Sequence, residues 1–362
     1  MNFDTIQKPS FVLLDGSMGS YIGKDDKKED SLFNKIWSAA ALALPEFNER
    51  IIKAHMEYII SGSQIISTNS YAIQPNLYRK AFGDEKYEDL IVKHAKLSAE
   101  LANAARNRVP STKNVNIFGV LGPICETHQP GLFMKFWKDN GTEFCVNFYE
   151  MLAQALLDGG VDGFLIETMN CWEEAYLALE GVRKVKQNSN IRNDSLPIIV
   201  SFQGRLLNDN LEPSPEDIGP YLVREFIDYV EKHTYMNIIA FGLNCAGPED
   251  LSKSLECIYD TLIFDNEIEK LSETTVEAFR RIMIELCVYP NLHDKRKYTN
   301  GFDISREGYV YEKRIDLVEN DHQGLCDFIG QLMAEYNIGF IGGCCGCTPN
   351  GIKKIHKHFI DI

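Results

Sequence analysis

The sequence has 362 residues, 44% of them hydrophobic and 25% charged, and its formal net charge is −15 at pH 7. This mixture can fill a large core, but a polyanion lacks the cations that bind phosphate backbones or anionic lipid surfaces. We therefore expect no nucleic acid and no membrane as partner, and small-molecule substrates for a chain that is a monomer or a weak oligomer.

Short β-branched runs alternate with longer amphipathic stretches along the chain. The predicted strands are 11–16, 64–68, 116–122, 162–168, 196–203, 237–245, 281–291 and 338–345. The predicted helices are 45–62, 86–108, 142–160, 172–188, 218–233, 248–263, 322–337 and 348–360. The strands are near-continuous apolar runs, which is typical of parallel strands buried on both faces. Eight strand–helix pairs predict an α/β fold, a single (β/α)8 TIM-type barrel domain over residues 1–362 with loop insertions.

A doubly wound open sheet is the alternative architecture. Such a sheet would need a glycine-rich phosphate loop after an early strand, and the segment DGSMGS at 15–20 does not match G-x-G-x-x-G. Two polar stretches, 203–217 and 293–321, match no motif, and we interpret the second as an excursion from the barrel.

The start of the sequence, MNFDTIQKPSFVLLDG, carries no basic leader followed by a long apolar run. No window approaches the roughly 18 apolar residues of a membrane helix. We therefore expect a cytoplasmic protein without a signal peptide. In that compartment the ten cysteines stay reduced, so a disulfide framework is not expected.

Three cysteines are predicted at the carboxyl ends of strands, where (β/α)8 barrels carry their functional side chains. Cys245 ends the sixth predicted strand, and Cys344 and Cys345 end the eighth. Three thiolates with an open fourth position are a catalytic type of zinc site. A substrate thiol that takes this position becomes a thiolate nucleophile at neutral pH.

Core packing is the competing interpretation of the Cys344–Cys345 pair. Adjacent side chains of a strand point to opposite faces, so both can hold one ion only if the strand ends there and the chain turns, as Gly346 permits. A dithiol of Cys345 and Cys347 would be strained as a disulfide, and we interpret Cys347 as a residue at the start of the last helix. The remaining cysteines are assigned structural roles: Cys125, Cys145, Cys171, Cys257, Cys287 and Cys326.

Two carboxylates are also predicted at strand ends, Asp15 at the end of the first strand and Glu167 at the end of the fourth. Each has a plainer interpretation, Asp15 as a turn residue and Glu167 as a solvated rim residue. At a barrel mouth, however, they suit an ammonium group. The N–H groups of Gly16, Ser17 and Met18 could cradle a substrate carboxylate. Together these groups would hold an amino acid by its head, with its tail directed at the metal.

Eight short segments occur in the order LLDGSMG, WSAAAL, STNSY, LGP, LIET, FGLNC, VYPN and GGCCGCTP. With them the sequence resembles the zinc-dependent homocysteine S-methyltransferase family from about residue 11 onward. The resemblance implies zinc on the three cysteines at 245, 344 and 345, and homocysteine held by the Asp15–Gly16 segment and Glu167. It also implies a position near the zinc for Asn291, which would fill the open site when substrate is absent.

The resemblance implies methyl transfer to homocysteine, giving methionine, from a sulfonium donor. WSAAAL and STNSY are similar to the sulfonium-using branch, which favours S-methylmethionine over S-adenosylmethionine. The sequence ends about fifteen residues after Cys347, where folate-using relatives continue into further modules and betaine-using relatives into an oligomerisation arm. A betaine-dependent enzyme and a non-catalytic zinc-binding or redox-sensing barrel are the alternatives. Cys347 itself departs from the family, which more usually has Thr or Ser there.

Overall fold

The computed structural model of the chain describes residues 11–22, 32–110, 115–127, 129–189, 195–208, 210, 214–264, 286–290, 292, 314–336 and 338–360. Within these residues no helix combines the length and the apolarity needed to cross a membrane.

Eight parallel strands form one sheet in the described part of the chain, in the order β1–β8–β7–β6–β5–β4–β3–β2. They are β1 Val12–Leu13, β2 Ile65–Ser67, β3 Asn116–Leu121, β4 Gly163–Met169, β5 Ile198–Gln203, β6 Ile238–Asn244, β7 Leu286–Tyr289 and β8 Ile338–Ile341. A parallel bridge between Leu14 and Ile65 brings the two edges together, and the Gln64 N–H donates to the Leu13 carbonyl over 2.7 Å. The prediction of a (β/α)8 barrel is confirmed, and the doubly wound alternative is wrong.

Helices connect the strands and surround the sheet. They are α1 Met18–Ile22, α2 Leu32–Ile36, α3 Ala40–Ala43, α4 Asn48–Ile60, α5 Pro75–Phe82, α6 Tyr87–Arg108, α7 Pro130–Asp158, α8 Trp172–Asn188, α9 Pro215–Lys232, α10 Pro248–Phe264, α11 Ile315–Glu335 and α12 Pro349–Phe359. Short 3-10 turns occupy Trp37–Ala39, Pro45–Phe47 and Thr234–Met236. The short helices α1, α2, α3 and α5 were not predicted, because segments of four to eight residues show too little of the helical period.

Two predicted helix starts compare differently with the structure. Helix α7 consists of two helical segments that meet at a kink at Gly141, where φ is +85°, so the predicted start at 142 is where the second segment begins, and the segment from Pro130 was not predicted. Helix α11 begins at Ile315, inside the stretch 293–321 that we interpreted as an excursion. Residues 293–313 lie outside the described residues, as do 281–285 of the predicted seventh strand.

Apolar side chains fill both sides of the sheet. One cluster lies inside the barrel and a second lies between the sheet and the helices, which explains why the strands are near-continuous apolar runs. The interior cluster contains Leu14, Ile65, Phe118, Val120, Leu165, Ile199, Ala240, Cys287, Tyr289 and Phe340. Towards the carboxyl ends of the strands the interior becomes polar, with Glu167, Ser201 and Asn244 two or four residues beyond members of that cluster. This polar end positions the candidate site.

Candidate active site

Three thiols converge at the carboxyl end of the barrel. The Sγ atom of Cys345 lies 3.8 Å from that of Cys245 and 3.9 Å from that of Cys344, and all three sulfurs lie within 4.8 Å of one another. Cys245 and Cys345 are buried, and Cys344 is partly exposed. The structure thus brings the three predicted thiols together at one mouth of the barrel.

The chain turn that we required for Cys344 and Cys345 is present. Strand β8 ends at Ile341 rather than at the predicted 345. Beyond it the Cys347 N–H donates to the Cys344 carbonyl over 2.9 Å, and Gly346 takes φ +80°, a conformation that favours glycine. Because both cysteines lie in this turn and not in the strand, their side chains can point to the same place.

Cys245 is held in an uncommon backbone conformation, with φ +58°. This left-handed region costs a non-glycine residue roughly 1–2 kcal/mol and persists where neighbouring groups determine it. Here the Cys245 N–H donates to the Tyr289 carbonyl over 3.3 Å, and the Cys344 N–H donates to the Pro290 carbonyl over 3.0 Å. The segments after β6, β7 and β8 are thus joined by backbone hydrogen bonds around the thiols.

A polar layer lies directly beneath the thiols. The Asn244 amide donates to the Thr168 hydroxyl over 2.6 Å, and the Ser201 hydroxyl donates to the Asn244 side-chain carbonyl over 2.9 Å. The Tyr289 hydroxyl lies 2.6 Å from the Ser201 hydroxyl. These bonds fix Asn244, and with it the direction in which the chain enters Cys245.

The thiol cluster needs a cation before all three sulfurs can ionise. Hydrogen bonds from the Cys344 thiol to the sulfurs of Cys245 and Cys345, together with burial, raise the pKa of Cys344 well above its usual value. Thiolates bound at about 2.3 Å to a tetrahedral zinc ion lie about 3.8 Å from one another, which agrees with the two short sulfur–sulfur distances. The donor set and its spacing therefore fit zinc.

Asp15 is buried beside the second strand. Its Oδ2 accepts the Ser67 N–H over 2.9 Å, and its Oδ1 accepts the Ser67 hydroxyl over 2.7 Å. Burial raises the pKa of Asp15 to about 7, although the bonds from Ser67 favour the carboxylate. The plain turn interpretation does not account for a buried carboxyl group at this depth.

Glu167 lines the same cavity from strand β4. Burial, followed by the charges of Asp15 and Cys245, raises its pKa to about 8, and a hydrogen bond from Tyr289 opposes this shift. None of the described residues that line the cavity carries a positive charge. Two carboxyl groups and three thiols therefore create a site that favours a cationic ligand group.

The predicted cradle at residues 16–18 loses its central donor. The Ser17 N–H donates to the Cys347 carbonyl over 3.0 Å, so it is already engaged. The Tyr58 hydroxyl donates to the same carbonyl over 2.9 Å. A Cβ atom at Gly16 would lie only 2.4 Å from this oxygen, so residue 16 must be glycine for the first and last loops of the barrel to meet.

An aromatic wall, missed by our sequence interpretation, lines the same cavity as Glu167. The rings of Trp37 and Tyr71 lie edge to face with their centroids 5.9 Å apart. Trp37 has φ +45°, its indole ring packs directly on Gly19, and the Tyr71 hydroxyl hydrogen-bonds to Thr127. The segments WSAAAL and STNSY contain both aromatic residues, and that was the available signal.

The three thiols, Glu167 and the aromatic wall line one cleft with an empty volume of about 700 Å³, its open mouth included, and Asp15 directly precedes its lining residue Gly16. Asn291 lies outside the described residues. Its neighbour Leu292 donates its N–H to the Cys345 carbonyl over 2.9 Å. Cys347 is buried directly before Thr348, the N-cap residue of helix α12, which confirms it as a residue at the helix start.

Comparison with known proteins gives one consistent family. A model of the homocysteine S-methyltransferase family matches residues 12–359. The chain is 24% identical to homocysteine S-methyltransferase 1 of Brassica oleracea var. italica, over 89% of this chain and 86% of that protein. It is 22% identical to homocysteine S-methyltransferase 2 of Arabidopsis thaliana, over 98% and 95%.

A selenocysteine Se-methyltransferase of Brassica oleracea var. italica is 24% identical to the chain, over 97% of this chain and 89% of that protein. The fold is similar to that of the homocysteine methyltransferase MmuM from Escherichia coli in its metallated form. The TM-score is 0.58 at 20% identity, over 96% of each chain.

Proposed function

Because the chain belongs to the homocysteine S-methyltransferase family and is an enzyme of methyl transfer to homocysteine, we propose that it uses a zinc ion and a sulfonium donor to make methionine. The observation that carries this proposal is the convergence of three thiols, the carboxyl group of Glu167 and an aromatic wall on one cleft, with Asp15 directly before its lining residue Gly16.

Cys245, Cys344 and Cys345 would hold the zinc. When bound, zinc supplies a Lewis acid that lowers the pKa of a thiol in the fourth ligand position, so that no general base is required. The protein supplies the spacing of the sulfurs, which agrees with three thiolates around one ion, and the burial that keeps competing water away from Cys245 and Cys345.

Asp15 and Glu167 would hold the ammonium group of homocysteine. Burial raises the pKa of both groups, and none of the described residues that line the cleft is a cation, so a substrate ammonium would stabilise the ionised carboxylates. Gly16 lets the first loop approach the last closely enough for Asp15 to lie beside the thiol cluster.

Trp37 and Tyr71 would bind the methyl donor. Aromatic faces attract cations, and a sulfonium group carries its positive charge on the sulfur that bears the methyl group to be transferred. We propose S-methylmethionine as the preferred donor and S-adenosylmethionine as a slower one. Betaine, a quaternary ammonium compound, suits the same wall and is the alternative donor.

The metal is tested by replacing each of Cys245, Cys344 and Cys345 by Ser. Wild-type protein should contain one zinc per chain, and each variant should lose most of the metal and essentially all activity, measured by metal analysis and methionine formation. Cys257→Ser is the matched control, because its thiol contacts the Pro215 carbonyl on the outer side of the barrel. Full activity of metal-free wild-type protein would contradict the proposal.

The donor is tested with purified zinc-loaded enzyme, homocysteine and each donor at equal concentration. S-methylmethionine should give the fastest methionine formation, followed by S-adenosylmethionine. Faster turnover with betaine would reject the sulfonium assignment and leave the zinc and homocysteine parts intact. A protein that binds zinc and shows no turnover with any of the three would favour the non-catalytic alternative.

A further inference from the structure

A buried arginine contacts segments that adjoin two of the three thiols. Arg314 exposes only 6% of its surface and uses its guanidinium fork on two carboxylates. Its Nη1 and Nη2 atoms donate to the two carboxylate oxygens of Glu249, each over 2.9 Å. Its Nε and Nη2 atoms donate to Asp316 over 2.8 Å and 2.5 Å. Two parallel bonds to one carboxylate fix the relative orientation of the two side chains and also stabilise the contact.

The Glu249 contact ties Arg314 to the loop that carries Cys245. Glu249 lies in the first turn of α10, four residues after Cys245. The guanidinium also lies against Gly247, whose added Cβ atom would come within 3.4 Å of Nη1. Arg314 therefore limits the movement of the short segment that follows the first thiol.

The backbone of Arg314 reaches the second thiol loop. Its N–H donates to the Leu292 carbonyl over 2.8 Å, and the Leu292 N–H donates to the Cys345 carbonyl over 2.9 Å. Arg314 thus contacts the loop of Cys245 with its side chain and, through Leu292, the loop of Cys345 with its backbone. The two cysteines lie 100 residues apart in sequence.

We propose that Arg314 is a positioning residue for the metal centre, which keeps Cys245 and Cys345 at the separation that the ion requires. This inference rests on the proposed zinc site. The three thiols lie on separate loops, so the contacts between those loops decide how closely the ligands are assembled before metal binds. A ligand set that is already assembled loses less conformational freedom when metal binds, and groups outside the ligand shell commonly change metal affinity by about 10–100-fold.

The test measures how fast zinc leaves the loaded enzyme in excess chromogenic chelator. Arg314→Met should weaken zinc affinity about tenfold, the lower end of that range, because Arg314 acts through loops and not on the ligands themselves. At an unchanged rate of zinc binding, this loss appears as release that is about tenfold faster. Glu249→Gln should speed release less. The double variant should release zinc no faster than Arg314→Met, since both changes break the same contact.

Arg108→Met is the matched control. Arg108 makes an equivalent fork to Glu49, with bonds of 2.7 Å and 2.9 Å, on exposed helices away from the thiols. Its zinc release should equal that of wild type. The melting temperatures of zinc-loaded and zinc-free protein are measured in parallel, and Arg314→Met should lower that of the loaded form more.

The inference would be overturned if Arg314→Met released zinc at the wild-type rate and lowered the melting temperatures of the zinc-loaded and zinc-free proteins equally. Arg314 would then only stabilise the fold. If Arg314→Met does not fold, the release rate of Glu249→Gln decides, and a wild-type rate overturns the inference. Wild-type protein that binds no zinc would instead overturn the proposed metal site, and the positioning role with it.

Discussion

Replacing Glu167 by Gln preserves the size of the side chain and removes its charge. In the proposed complex Glu167 accepts a hydrogen bond from the ammonium group of homocysteine, and a bond to a charged group contributes about 1.5–3 kcal/mol. Because each 1.4 kcal/mol is a factor of ten, the KM for homocysteine should rise about ten- to hundredfold when Glu167 is fully ionised in the wild type.

The effect should depend on pH. Burial raises the pKa of Glu167 to about 8, so at pH 7 the carboxyl group must lose a proton before it can pair with the ammonium. This step costs about 1.4 kcal/mol at pH 7 and almost nothing at pH 9. The ratio of the variant KM to the wild-type KM should therefore increase roughly tenfold from pH 7 to pH 9. Taking the ratio removes the titration of homocysteine itself.

The assay is steady-state methionine formation at saturating donor, with zinc content measured for each protein. Glu174→Gln is the control, because burial also raises the pKa of Glu174, to about 7. That carboxylate accepts backbone N–H groups of Ile124 and Asn170 behind the cleft and does not line it. Its KM should keep the wild-type pH profile. A flat ratio for Glu167→Gln, or an equal change in Glu174→Gln, would refute the assignment.

Two further predictions concern stability. Gly16→Ala should lower the free energy of unfolding, measured by urea titration, by about 1–3 kcal/mol, because the new Cβ atom would lie 2.4 Å from the Cys347 carbonyl oxygen. Gly330→Ala is the control and should cause no loss, because the nearest atom to its Cβ would be 3.8 Å away. His55 is buried, neither ring nitrogen has a hydrogen-bond partner among the described residues, and burial lowers its pKa to about 3. Below pH 6.5 the His55 imidazole is therefore protonated in the unfolded chain but stays neutral in the native state. Between pH 7 and pH 5, the free energy of unfolding of wild type should decrease by about 2 kcal/mol relative to that of His55→Leu. Parallel pH profiles for the two proteins would contradict a neutral buried imidazole.

The barrel and the convergence of the proposed metal ligands could be predicted from local sequence. Eight apolar runs separated by amphipathic helices leave few parallel architectures, and the carboxyl ends of barrel strands meet at one face. The shared location of Cys245, Cys344 and Cys345 follows from that rule, because the apolar runs of the sixth and eighth strands that precede them are easily recognised. Asp15 and Glu167 were found for the same reason, each standing next to the end of an apolar run.

Only the tertiary structure decided how the loops meet above the strands. The Ser17 N–H is engaged by a carbonyl 330 residues later in the chain, at Cys347, and no local pattern predicts such a partner. Trp37 and Tyr71 come from different loops, and their wall exists only once both loops pack on the barrel. Arg314 likewise joins two thiol loops from a third segment. Strand and helix periods are properties of neighbouring residues, whereas these contacts depend on side chains and carbonyls that are distant in sequence and are brought together by folding alone.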